Sequence, residues 1–310
     1  MKQTRLGEAK KSIFRYWDLY LLLIPVVAYF LVFKYYPMYG LTIAFKNYDT
    51  NLGINGSPWL GAHELFKWFE MFFKSYKFLP VIMNTLILSI LSIVISFPFP
   101  IILALVMNEM RCLRFKKTVQ TVTYAPHLIS TAVVVAMVVA FTNPSTGIVN
   151  KVIETLGGNP VYFMIDPGWF RPLYIISGIW QGMGSASIIY LSALSGIDTG
   201  LYEAASIDGA SRWKMLTKIT LPCLLPVIVV VLILDCSHVL GVGFEKAFLL
   251  QTSMNKSVSE IISTYTYQLG IVQSNFSYST AVGLFNSLVN LIVLLSVNRI
   301  AKKASGTGLW

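Results

Sequence analysis

Charge is the first thing this sequence has little of. Asp, Glu, Lys and Arg make up 12% of its 310 residues, against roughly a quarter in a soluble domain. Cysteine is scarcer still: Cys112, Cys223 and Cys236 are scattered, with no metal or redox spacing, which speaks against a disulfide framework. Of the histidines, His63 and His127 have no carboxylate or cysteine at ligand spacing, so no metal site is expected. No Gly-x-x-x-x-Gly-Lys-Ser/Thr segment occurs, so the chain lacks the loop with which it could cradle nucleotide phosphates. No Ser/His/Asp set or carboxylate pair stands out, and no enzyme active site is expected. Tandem repeats, coiled-coil heptads and low-complexity linkers are missing too. The basic N-terminus precedes an apolar run with no small-residue cleavage site after it, so that run reads as a retained span.

What the chain does have is apolar residues, 55% of the total, arranged in long runs. Such runs are the mark of membrane crossing rather than of a large soluble core. An all-α integral membrane protein with six transmembrane helices is expected. The spans fall near 19–36, 79–107, 119–141, 172–197, 221–244 and 279–300. The expected organisation is a tail over 1–18, one membrane domain over 19–300 with a loop at 198–220, and a second tail over 301–310. Fifteen of the 24 Lys and Arg fall in the segments on one side of this layout. The positive-inside rule then puts both termini in the cytoplasm of a multi-pass plasma-membrane protein. The net charge of +10 thus reads as topology, and no nucleic-acid partner is expected.

Between the spans, 37–78 is polar and aromatic, and its end, Glu64 to Phe78, suits an amphipathic helix on the outer surface. Pro98 and Pro100 are the expected kink of an over-long second span. A short helix is expected near Ile148 to Leu156, and the polar stretch 245–278 is expected to cap or re-enter the membrane. The sequons at Asn55, Asn255 and Asn275 read as loop polarity.

The most informative stretch is Leu201 to Pro222, an amphipathic segment between apolar runs. Asp208-Gly209 carries turn chemistry, because Gly accepts the left-handed backbone that ends a helix. Ser211 can cap a second helix. Small residues at Ala204 and Ala205 would let a partner approach closely, although an ordinary loop fits the same pattern. Glu203-Ala204-Ala205, Gly209, Ile219, Leu221 and Pro222 together resemble the EAA loop of binding-protein-dependent ABC importer permeases. Tyr36-Pro37-Met38-Tyr39-Gly40 and Ala44-Phe45-Lys46 are similar to the sugar and polysaccharide branch of that family. The resemblance implies a type I importer permease fold, with the loop as a coupling helix that docks on a cytoplasmic ATPase. Tyr202, Glu203, Ala204, Ala205, Asp208, Gly209 and Ala210 would carry that coupling. It further implies two ATP-binding cassette subunits holding ATP and Mg, a second and distinct permease, and an extracytoplasmic solute-binding protein. No cofactor would sit on this chain, and the solute would be a carbohydrate, an oligosaccharide or polysaccharide fragment.

Polar residues inside the expected spans are the candidates for a solute path. A central Asp costs on the order of 3 kcal/mol to insert, so Asp235 and its neighbour His238 should face protein or water. On the fourth span Trp180, Gln181, Gly182 and Ser185 combine an aromatic platform, polar groups and close access, which suits a sugar. Helix–helix hydrogen bonding and small-residue packing explain the same residues, as they do Asn84, Asn286 and Asn290. Gly178 and Gly182 read more readily as packing, and Glu245 as a solvated helix end. Other solutes (a peptide, lipid or amino-acid derivative) fit the same frame. An ion-coupled carrier using Asp235 and His238 is the reading from a different class.

Overall fold

The computed structural model describes residues 16–237, 239–241 and 243–309. His238 and the tail basic residues through Arg15 lie outside them. In chain order α1 spans Trp17–Phe45, α2 Lys67–Lys74, α3 Phe78–Asn108, α4 Leu113–Leu128, α5 Thr131–Phe141, α6 Ile148–Thr155 and α7 Pro167–Ser195. There follow α8 Thr199–Ile207, α9 Arg212–Cys236, α10 Phe244–Leu250, α11 Lys256–Ser259, α12 Ile262–Tyr267 and α13 Phe276–Ser305. Among the described residues, the pairing of extended backbone is confined to one antiparallel bridge, Lys46 with Trp59. The all-α fold class expected from the sequence is the one observed. Among the described residues four helices, α1, α3, α9 and α13, are long and apolar enough to cross a bilayer, and α4 with α5 makes a fifth if counted as one broken crossing. The remaining expected span is α7, whose 29 residues are long enough at 1.5 Å per residue, though its Gly, Ser and Gln dilute its apolar character.

Three expected spans differ in detail. The first continues past Pro37 to Phe45, through a π-helical turn over Leu31–Tyr35. A wider turn relieves the clash of a proline ring with the carbonyl four residues back. The third is not continuous: α4 and α5 meet at 98°. Pro126 tightens the end of α4 into a 3-10 turn, and Ser130 starts α5 afresh by accepting from Val133 N. The fifth begins earlier than expected, at Arg212, and stops at Cys236 rather than Phe244. Beyond it the backbone is satisfied by side chains of other helices. Asn290 Oδ1 accepts from Leu240 N at 2.9 Å, and Ser89 Oγ donates to Val239 O. The second span behaves as expected of its prolines, with the helix interrupted at Phe97, just before Pro98.

The outer segments are built into the core. Helix α2 does not simply lie on a surface: Phe72 is buried against Phe78, Tyr265, Tyr278 and Phe285. The stretch 245–278 is among the most buried parts of the chain, with Ile261, Ile262 and Ser259 at 0% exposure. Its polar backbone is held from α3. Asn84 Nδ2 donates to Ser257 O and Glu260 O at 2.8 and 3.2 Å, and Thr85 Oγ1 accepts from Ile262 N at 2.9 Å. Asn255, read from sequence as loop polarity, is instead a buried staple that donates to Leu250 O and Met164 O. Helix α7 packs on α4 through Gly184, where a Cβ would stand 2.0 Å from Thr123 O.

Two substitutions test this packing. Gly184→Ala forces two backbones apart and is expected to cost about 1–3 kcal/mol, read as a lowered melting temperature of the purified protein. Gly182→Ala is its control, because a Cβ there meets nothing within 4 Å. Asn84→Leu strands two buried carbonyls at about 1–3 kcal/mol. It should accelerate hydrogen exchange across α11 and the start of α12 before it affects α9.

Candidate functional site

The hairpin after α7 is held by local hydrogen bonds that its sequence dictates. Asp198 Oδ1 caps α8 by accepting from Gly200 N at 2.9 Å. At the other end Gly209 has φ +73°. Its N–H donates to Ser206 O at 3.1 Å, and Ala210 N donates to Ala205 O at 2.9 Å. This crossed pair of bonds closes a helix on a left-handed residue. Ser211 Oγ then accepts from Lys214 N at 3.3 Å and starts α9. Tyr202 Oη and Thr220 Oγ1, 3.0 Å apart, tie α8 back onto α9.

The closed hairpin presents Glu203, Ala204, Asp208 and Gly209 outward, with Tyr202, Ala205 and Ala210 half-buried behind them. Two large apolar side chains stand at its tip, Ile207 at 87% and Trp213 at 72% exposure. Sequence reasoning did not single these out, though an apolar residue on each side of a polar turn was the available signal. A recess of about 390 Å³ lined by Glu109, Arg111, Tyr202 and Arg212 joins the hairpin to the α3–α4 loop. Both loops therefore lie at the same end of the molecule.

The polar candidates inside the spans separate into two groups. Gln181, Gly182 and Asp235 border a cavity of about 590 Å³ between α3, α7, α9 and the segment leading into α10, together with Ser89, Ser92 and Lys246. Trp180 and Ser185 are not on that wall: Trp180 is 40% exposed elsewhere on α7, and Ser185 Oγ donates to Gly182 O within its own helix. Gln181 Nε2 donates to Ile129 O at 3.0 Å, at the break between α4 and α5. His238 lies outside the described residues.

The packing reading of Gly178 and Gly182 is corrected by this geometry. Among the described residues no helix presses on either: Gly182 faces open space, and a Cβ at Gly178 would meet only Lys246 Nζ, at 3.1 Å. Both line the cavity, and both also line a second one of about 480 Å³ with His127, Ser130, Gln181 and Glu245. Glu245 is exposed, but toward this cavity rather than as a bare helix end. Asn84 and Asn290 are structural, as their bonds to Ser257, Glu260 and Leu240 show. Lys246, Ser89 and Ser92 were missed. Their sequence signal was faint, a lysine in an apolar heptamer and serines in an apolar helix. No group of three His, Cys, Asp or Glu that could hold a metal ion occurs among the described residues.

Known proteins resemble this chain along nearly its whole length. Residues 96–306 match the family described as binding-protein-dependent transport system inner membrane component. Protein LplB of Bacillus subtilis (strain 168) is 44% identical over 94% of this chain and 91% of its own length. The polygalacturonan/rhamnogalacturonan transport system permease protein YteP of the same strain is 45% identical over 94% and 90%. A crystal structure of a bacterial ABC transporter involved in the import of the acidic polysaccharide alginate superposes with a TM-score of 0.87 at 43% identity, covering 96% of this chain and 99% of that one. The bacterial alginate transporter in complex with its alginate pentasaccharide-bound periplasmic protein matches to the same extent. The family match and these relatives along nearly the whole chain show that it belongs to the binding-protein-dependent transport system inner membrane components, the membrane permeases of ABC transporters.

Proposed function

We propose that this chain is one permease subunit of an ATP-driven importer that passes a carbohydrate, an oligosaccharide or polysaccharide fragment, handed over by an extracytoplasmic binding protein. The observation that carries the reading is mechanical. Helix α9 runs from Arg212, beside the exposed hairpin, to Cys236, one residue beyond Asp235 on the cavity wall. At 1.5 Å per residue, roughly 35 Å of one helix links the two. A push on the hairpin therefore moves the wall of the cavity. The tie from Tyr202 to Thr220 makes α8 and the start of α9 move as a unit.

In this reading two ATP-binding cassette subunits, which hold the ATP and Mg, supply the push. Ile207 and Trp213 give their groove an apolar anchor, and Glu203, Ala204, Ala205 and Gly209 give it a close-fitting face. The four basic residues of the α3–α4 loop and the start of α4 (Arg111, Arg114, Lys116 and Lys117) and the three of the hairpin favour placing that end in the cytoplasm of a plasma-membrane protein. Both termini then lie on the cytoplasmic side too. No residue of Trp17–Phe30 is buried, which leaves that apolar surface to lipid and to a second, distinct permease subunit. Carbohydrate as the solute is supported by the polygalacturonan/rhamnogalacturonan and alginate systems of the relatives. The cavity fits: Tyr174, Gln181 and the serines offer ring faces and hydrogen-bonding groups to a hydroxylated ring.

Uptake into proteoliposomes by the assembled complex should require ATP inside and ligand-loaded binding protein outside; uptake driven by an ion gradient alone would sink the proposal. Gly209→Val has room for its side chain but forces a β-branched residue into the left-handed region, at about 1–3 kcal/mol. The expected result is a normally inserted permease that retains less ATPase on co-purification and shows about a tenfold loss of transport. Full coupling in that variant would remove the hairpin's assigned role.

A further inference from the structure

Lys246 borders the 590 Å³ cavity, and nothing described so far accounts for its charge. It stands on α10, and 7% of it is exposed. Buried ammonium groups are normally paired, because removing the charge from water without a counter-charge is costly. None of the ion pairs among the described residues includes Lys246. Its Nζ lies 4.8 Å from the centre of the Tyr174 ring, a weak substitute for an anion. The same atom comes within 3.1 Å of where a Cβ on Gly178 would stand. The missing side chain at Gly178 is what lets the ammonium reach the 590 Å³ cavity, which Lys246, Tyr174 and Gly178 all border. Ser92 Oγ, on a residue of the same wall, is buried without a hydrogen-bond partner.

The other charges around the cavity are placed so as not to cancel this one. Asp235 borders it toward the opposite end. Val231, one helical turn before Asp235, packs against the cluster that contains Tyr190. Tyr190 is roughly 24 Å along α7 from the Tyr174 that meets Lys246. Glu245, the neighbour of Lys246 in sequence, borders the second cavity, which meets the first at Gly178, Gln181 and Gly182, and makes none of the ion pairs among the described residues. The end of the cavity nearest α10 is thus positive, with an aromatic face beside the charge.

We propose that Lys246 receives a carboxylate of the transported sugar, so that the solute is an oligosaccharide containing uronic acid. This rests on the carbohydrate-importer reading and adds the sign of the solute's charge. The Tyr174 face holds the ammonium in the cavity while it is empty. A carboxylate then replaces the ring as its partner, and sugar hydroxyls reach Ser92 and Gln181. A lysine suits this role because its charge sits on a flexible stem that can follow a moving ligand.

The test uses the whole complex in proteoliposomes with its binding protein. The probes are galacturonate and alginate trisaccharides, each paired with its carboxyl-reduced neutral counterpart. The expected result is faster uptake of an acidic trisaccharide than of its neutral form. Lys246→Gln should lower the acidic rate about tenfold, the value of one charged hydrogen bond, and the neutral rate far less. Lys246→Arg should retain most of the acidic rate. Equal loss on both probes in Lys246→Gln overturns the proposal, since it would mean that the lysine serves assembly or pairs with another subunit. Uptake of neutral sugars without acid preference overturns it as well and leaves the importer reading standing. Uptake of no carbohydrate by a complex that transports some other solute removes both.

Discussion

The structure depends on one constraint: where a helix breaks inside an apolar surrounding, every freed N–H and C=O must find a partner within the protein. This chain breaks its helices repeatedly, after Cys236, between α4 and α5, and through the α10–α12 region. At each break a polar side chain from a neighbouring helix takes over. Asn290 and Ser89 serve the backbone after α9, Gln181 serves Ile129, and Asn84 and Thr85 serve the α11–α12 turn. Asn84, Thr85, Ser89, Gln181 and Asn290 are therefore fastenings first, whereas Ser92 Oγ and Asn286 Oδ1 are buried without a hydrogen-bond partner. A polar residue that is not used as a fastening, such as Lys246, stands out only once the others are accounted for.

That division also explains the cavity. With α9 ended at Cys236, Val239 and Leu240 pack back between α3 and α13 instead of continuing the helix. The backbone through Gly241 and Gly243 then borders an open space instead of filling it. Gly178 and Gly182 on α7 widen the same space, while Gly184, only two residues beyond Gly182, does the opposite and seats α4 at close range. One helix thus uses the same residue type for opposite ends. Only the distance from each missing Cβ to its neighbours distinguishes them.

Much of the architecture was legible in the sequence because long apolar runs and their basic flanks obey strong energetic rules. The hairpin was the most legible element: Gly209 and Ser211 are local signals that need no tertiary context, and each makes a bond of the expected kind, while the cap at Asp198 was an equally local signal that went unread. What was not legible is non-local. Nothing in the run Leu221 to Phe244 shows that its last turns unwind, because the partners that permit it, Asn290 and Ser89, are distant in sequence. The polar stretch 245–278 was expected to cap or re-enter the membrane and Asn255 to be loop polarity, and nothing local shows that Asn255 and Glu260 are buried, at 2% and 6% exposure, with their hydrogen bonds made internally. For the same reason the cavity wall was only partly anticipated. Gln181, Gly182 and Asp235 were visible as polar or small residues in spans, whereas Lys246 was hidden inside a segment read as lying outside them.

The first helix stands apart from this pattern of fastenings. Trp17–Phe30 has no buried residue, while the far end of the same helix, Tyr39–Phe45, packs on α13 and buries Ala44, so the subunit holds this span at one end only. A span held in this way bends toward the tilt that matches its apolar length to the hydrocarbon around it, at a cost of only fractions of a kcal/mol per ångström of mismatch. Bilayer thickness, and with it acyl-chain composition, thereby acts as a mechanical variable on one edge of the subunit while the bundle behind it keeps its shape.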